Sequence, residues 1–216
     1  RFGLGLNNSF TSYVFPLFER HAIGIDWLRE NFGDKELKDA LNIINIGYGF
    51  QLHRSLSVGI GSKSVLQSID LDGVSLRSAS GFGFDAGLVF TPKSRPFDKF
   101  RIGLTIQDIG GTKVRDNISQ FEEELLEQNV RGGIAYQATR DLTLAADVDQ
   151  DKIYFGTEYQ PIASLIVRGG LNRALSQPNG ADNSLAFALG FGVKYNSIQL
   201  DYAFETHARS GGQQPD

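Results

Sequence analysis

The chain has 216 residues, a formal net charge of −4 and 41% hydrophobic residues, a size that allows one domain or two. No run of roughly 18 apolar residues exists, which excludes a transmembrane helix but not a barrel, whose alternating strands average to modest hydropathy. Cysteine is absent, which removes disulfides, thiolate metal sites and cysteine nucleophiles, and no lysine–arginine run supports nucleic-acid binding.

From the start of the chain onward the dominant signal is alternation, which marks strands with two unlike faces. Residues Phe2 to Asn8 are expected to form a first strand, followed by Ile23, Ile25 and Trp27 set against Gly24 and Asp26. Ile44, Ile46, Tyr48 and Phe50 then alternate with Asn45, Gly47, Gly49 and Gln51, and Leu56, Val58 and Ile60 with Ser57, Gly59, Gly61 and Lys63. Phe82, Phe84 and Leu88 oppose Gly83, Asp85 and Gly87; Ile102, Leu104 and Ile106 oppose Arg101, Gly103 and Thr105. The pattern resumes with Val130, Ile134 and Tyr136 against Arg131 and Ala135, then Leu142, Leu144 and Val148 against Thr143 and Asp147. Ile153, Phe155 and Tyr159 oppose Gly156 and Glu158, and Leu165, Val167 and Leu171 oppose Arg168 and Gly170. The last two runs are the clearest: Leu185 to Tyr195 and Ile198 to Glu205 place Phe, Leu and Tyr on one face and Ala, Gly, Lys194 and Asp201 on the other.

About twelve strands result, of roughly 9–11 residues each, the length that crosses a bilayer at a tilt. Short links at His53-Arg54, Lys93 to Asp98, Ala138 to Asp141, Gln160 to Ser164 and Asn196-Ser197 alternate with longer polar links at Glu30 to Asp39, Asp70 to Ser80, Gly110 to Gln128 and Ala174 to Asn183. That alternation fits periplasmic turns and extracellular loops. The link Asp149 to Lys152 is short where a long loop belongs, and no feature of the sequence explains it. The fold class expected is therefore all-β, a single transmembrane antiparallel β-barrel over residues 1–216. About twelve strands are present of an expected fourteen, the chain being cut short at both ends, since it begins at Arg1, lacks methionine and ends in a polar tail from His207 to Asp216.

The polar face carries Asp26, Lys63, Asp85, Arg101, Arg131, Asp147, Glu158, Arg168, Lys194, Asp201 and Glu205. In a soluble sandwich these would be the solvent face. Here the other face is dense in Phe, Tyr, Leu and Ile while this one is rich in glycine and alanine, whereas a small soluble barrel fills its interior with large apolar residues. The charges are thus expected to face a lumen, either as a structural salt-bridge lattice or as a transport path, and the bulky residues to face outer-membrane lipid. A charge near the midplane of the lipid face would cost about 2–4 kcal/mol.

Chemical motifs are sparse. His21, His53 and His207 have no metal-site spacing. Asp147, Asp149 and Asp151 alternate as calcium ligands can, but the glycine and distal glutamate of an EF-hand are missing. Gly110-Gly111 opens no phosphate loop, and no nucleophile elbow occurs. No enzyme, cofactor or metal is expected. Asn117 to Glu127 reads as a short acidic helix within the long loop 110–128, with Ile118, Phe121 and Leu125 at helical spacing beside Glu122. It would serve either as a lid over the barrel mouth or as a docking element anchored by Phe121 and Leu125.

The runs Gly81 to Pro92 and Arg101 to Gly111, with Arg131 to Tyr136, Leu144 to Asp147, Phe155 to Tyr159, Arg168-Gly-Gly170 and Leu200 to Phe204, resemble the PorV/PorQ family of outer-membrane proteins. The resemblance implies a FadL-like barrel of fourteen strands in the bacterial outer membrane, non-enzymatic, with a secretion or surface-assembly protein as partner at the cell surface. The alternative is a FadL-like transporter of hydrophobic small molecules, which calls for an apolar pocket and a lateral opening.

Overall fold

A computed structural model describes residues 5–33, 36–175, 185–195 and 198–207. They fall into two units, Arg1–Leu88 with Thr105–Asn129, and Val89–Leu104 with Val130–Asp216.

In the first unit β1 (Gly5–Phe18), β2 (His21–Gly33), β3 (Leu37–His53), β4 (Leu56–Leu71) and β5 (Val74–Phe90) follow one another as hairpins. β6 (Phe100–Gln107) runs from one unit into the other, after a 3₁₀ turn at Phe97–Lys99. β7 (Thr112–Asp116) and β8 (Glu122–Leu126) form a hairpin whose first strand pairs with β5. The second unit contains β9 (Asn129–Gln137), β10 (Leu142–Val148), β11 (Lys152–Ile162), β12 (Leu165–Ala174), β13 (Leu185–Tyr195) and β14 (Ile198–His207), each paired with the next. All the registers described are antiparallel. Among the described residues, apart from β7 and β8, twelve strands stand where about twelve are expected, and the fold is all-β.

The strands differ from expectation where the sequence is polar at the hairpin ends. β1 spans Gly5–Phe18 rather than ending near Asn8; its Phe10, Val14 and Phe15 occupy both faces, so alternation is blurred there. β3, β4 and β5 run to 17, 16 and 17 residues, longer than a bilayer crossing needs. The long links expected at Glu30 to Asp39 and Asp70 to Ser80 are therefore mostly strand. Their reason is visible in the second case: Asp72 and Gly73 have φ of 50° and 81°, the two positive values of a type I′ turn, for which Asp-Gly is a favoured pair. The Ala174 to Asn183 and Asn196-Ser197 links lie largely outside the described residues, as does the tail beyond His207.

The two faces invert those of a soluble sandwich. Ile60, Phe82 and Leu200 are exposed at 67, 74 and 72%, while Lys63 is at 7%. Along β3, Ile44, Ile46 and Tyr48 are exposed and Asn45, Gly47 and Gly49 are half-buried. In the first unit the buried apolar side chains Ile43, Val65, Ala79 and Val114 form a cluster, with Leu28, Leu41, Leu125 and Leu126 against it. It lies on the same face as Asp26, Asn45 and Lys63. That face is thus apolar toward the far ends of β2–β5, a correction to the expectation of an interior that is small and charged throughout.

Candidate functional site

The inner face of the first unit holds a trough of about 400 Å³. Its floor follows from register. Val14, Gly24, Gly47 and Gly61 stand side by side on β1–β4, and Pro16, Ala22, Gly49 and Gly59 form the neighbouring row. A Cβ built on Gly24, Gly47, Gly49, Gly59 or Gly61 would meet its nearest atom at 3.5–4.0 Å, an ordinary contact distance. Neither backbone conformation nor packing demands glycine at these positions; their effect is to keep the trough wide. Gly47 and Gly61 also line a second groove, of about 420 Å³, whose walls are the outward Ile23, Ile46, Ile60 and Phe84. Only backbone separates the two there.

Beyond the trough the β7–β8 hairpin is fixed by an ion network. Lys63 Nζ lies 3.0 Å from Asp85 Oδ1 and 3.0 Å from Asp108 Oδ1. The backbone N–H of Asp108 donates to Asp85 Oδ1 at 2.8 Å, and Thr112 Oγ1 donates to Asp108 Oδ1 at 2.6 Å. Thr112 is fully buried. The approach is close enough to require glycine opposite: a Cβ on Gly83 would lie 2.1 Å from Thr112 Oγ1, and one on Gly81 2.1 Å from the Lys113 carbonyl. Arg77 pairs with Glu123 on the same face.

The acidic segment 117–127 is not a helix. Asp116 accepts from Ile118 N–H at 2.9 Å and from Ser119 Oγ at 2.8 Å, an Asx turn, and the N–H of Ile118 is the leading cause that lowers the pKa of Asp116. Gln120 then takes φ 60°, and Asp116 N–H bonds back to Phe121 O at 2.9 Å. A helix would crowd Glu122, Glu123, Glu124 and Glu127 at repelling spacings. The hairpin instead sets Arg115 opposite Glu122 and Lys113 opposite Glu124. Leu125 packs on the apolar cluster, which removes it as a docking anchor; Ile118 and Phe121 stay exposed at the turn, and Glu122 faces Arg115 and Lys113.

In the second unit Arg168, on β12, links β11 with β14. Its Nε bonds Glu158 on β11 at 2.8 Å, and its Nη1 reaches across β13 to Asp201 on β14. Gly192 lies between, buried. Arg131 bonds Asp149 Oδ2 at 2.8 Å and packs over the Tyr154 ring, whose hydroxyl also donates to Asp149 at 3.0 Å. Asp149 Oδ1 accepts from the N–H groups of Asp151 and Lys152, which closes the anomalously short β10–β11 turn and explains it. Burial opposes ionisation of Asp149, yet the Arg131 guanidinium and these donors outweigh it and hold the carboxyl well below the usual carboxylate range.

Of the other expected inner-face residues, Asp26 accepts from Asn45 Nδ2. Asp147 is half-buried opposite Gly133, Lys194 stands opposite Gln199, and Arg101 lines a polar cavity. Glu205 is in β14 opposite Ala188; its side chain lies outside the described residues. Asp108, Thr112 and Tyr154 were not singled out by sequence. Only the Asp108-Ile-Gly-Gly111 turn hints at the first two.

No family model matches the sequence, and no curated protein matches it. Solved structures do. A monoaromatic hydrocarbon channel, CymD, aligns with a TM-score of 0.67 at 14% identity, covering 94% of this chain and 82% of its own. The toluene transporter TodX of Pseudomonas putida aligns at 0.63 and 11%, covering 94% and 81%. A FadL homologue of Pseudomonas aeruginosa aligns at 0.63 and 14%, covering 92% and 69%. At these identities the likeness speaks for the fold alone. The PorV/PorQ resemblance rests on its motifs, with no support from these structures. The chain has the antiparallel β-barrel fold of FadL-like proteins of the bacterial outer membrane.

Proposed function

We propose that the protein passes hydrophobic small molecules across the bacterial outer membrane. The observation that carries this reading is the trough floored by Gly24, Gly47, Gly49, Gly59 and Gly61, kept open although each position has room for a side chain. An apolar molecule gains by leaving water for such a surface, at about 25 cal/mol per Å². The thin wall at Gly47 and Gly61 supports exit sideways into the apolar outer groove. The solved structures of like fold, described as hydrocarbon channels and a toluene transporter, favour this reading over a secretion-accessory role. Nor does the hairpin favour a partner: Leu125, one of its two proposed anchors, is spent on internal packing.

The test is uptake of labelled toluene by cells carrying the protein in place of their own hydrocarbon channels. Gly47→Val and Gly61→Val together are expected to lower uptake about tenfold while the protein still folds. Unchanged uptake with the trough filled would refute the route.

A further inference from the structure

At the short-turn end of the second unit lies a polar cavity of about 340 Å³. Four cations line it: Lys93, Lys99, Arg101 and Arg140. Among the described residues none of the four has a carboxylate within 4.0 Å. Three acids share the lining, but Glu158 is already bonded by Arg168. Four unmatched cations thus face two unengaged carboxylates, Asp98 and Asp141. Thr143 adds a hydroxyl, and the amides of Gln137 and Gln160, which each donate one bond to a turn carbonyl, keep a second N–H. Elsewhere on the inner face Lys63 is matched by Asp85 and Asp108, and Arg168 by Glu158 and Asp201. The excess here has no internal use.

We propose that this cavity binds the carboxylate of a small organic acid of ring size. Guanidinium groups offer parallel N–H pairs that match a carboxylate, and charge-assisted bonds of this kind are about twice as strong as neutral ones. The volume is within the range of small-molecule sites. The lining is too polar to reward a neutral hydrocarbon. The inference deepens the transport reading and rests on it, adding acids to the molecules passed and a polar station distinct from the apolar trough.

The experiment is calorimetric titration of the purified full chain with benzoate, in zwitterionic detergent at low salt, with benzyl alcohol as the neutral comparison. Benzoate is expected to bind and benzyl alcohol to bind at least tenfold more weakly. R101Q with R140Q should weaken benzoate about tenfold, and circular dichroism checks that the strands are kept; if that pair does not fold, K93Q with K99Q is read in its place. No benzoate binding, equal binding of the alcohol, or an unaltered constant in the folded variant overturns the proposal. Repeating the titration in vesicles of phosphatidylcholine and of phosphatidylglycerol separates the two sources of an oxyanion. Loss of benzoate binding only in the anionic vesicles would assign the cavity to lipid headgroups and overturn the soluble acid. Benzoate binding without toluene uptake would sink the transport reading alone, and uptake without benzoate binding would sink this inference alone.

Discussion

Lys63 is buried among two carboxylates and a hydroxyl, and the arrangement ties β4 and β5 to the start of the hairpin. Removing one partner of a buried ion pair leaves the others uncompensated and costs about 3–5 kcal/mol. Lys63→Met is expected to lose that much, measured by urea unfolding followed through Trp27 fluorescence. Asp149 permits a pH argument. Its native pKa is depressed, so its contribution is complete above the unfolded value of about 3.9 and fades as pH falls below that toward the native value. Asp149→Asn is therefore expected to be less stable than the parent at pH 7, with the gap narrowing at pH 3. A constant gap between the two pH values would show that the carboxylate's charge is not what closes the turn. Both residues were visible as polar positions in an alternating pattern. Their pairings were not, because Asp108 lies 45 positions from Lys63 and Arg131 lies 18 from Asp149.

The hairpin shows how a local pattern misleads. Ile118, Phe121 and Leu125 recur at helical spacing, and that signal is real. What overrides it is charge: helical spacing stacks the glutamates, whereas strand pairing places Glu122 and Glu124 opposite Arg115 and Lys113. Each such pair contributes roughly 0.2–1 kcal/mol. E122K with E124K is expected to loosen the hairpin, seen as faster amide hydrogen exchange in Thr112–Leu126, and adding K113E with R115E should restore protection. Failure of the reversed set to restore it would show that the pairing does not depend on charge. At the same scale, Asp72-Gly73 stands between Leu71 and Val74 as a hairpin pair, a signal that the expectation of a long link from Asp70 to Ser80 passes over.

For the molecule as a whole, the decisive feature is the exposure of Phe, Leu, Ile and Tyr along strand after strand in both units, with the charged residues Lys63, Asp85, Arg168 and Glu158 on the other face. Lipid is the solvent that makes such a surface stable. Phe191→Arg or Leu200→Arg is expected to cost about 2–4 kcal/mol of insertion when the position lies near the midplane, measured as folded fraction in lipid vesicles. Insertion at the parental level would reverse the assignment of faces. The same inversion frees the inner face from filling a core, so that glycine can be used there to hold space rather than to satisfy the backbone.

Apart from the β7–β8 hairpin, strand identity and the division into two faces were determined by the sequence alone, since side-chain direction alternates with every residue and needs no distant partner. The trough, the reach of Arg168 from β11 to β14 and the unmatched cations around Arg101 were decided only by tertiary structure. Each depends on register, which sets residues far apart in the chain side by side, and a slip of one position would turn every one of them to the opposite face.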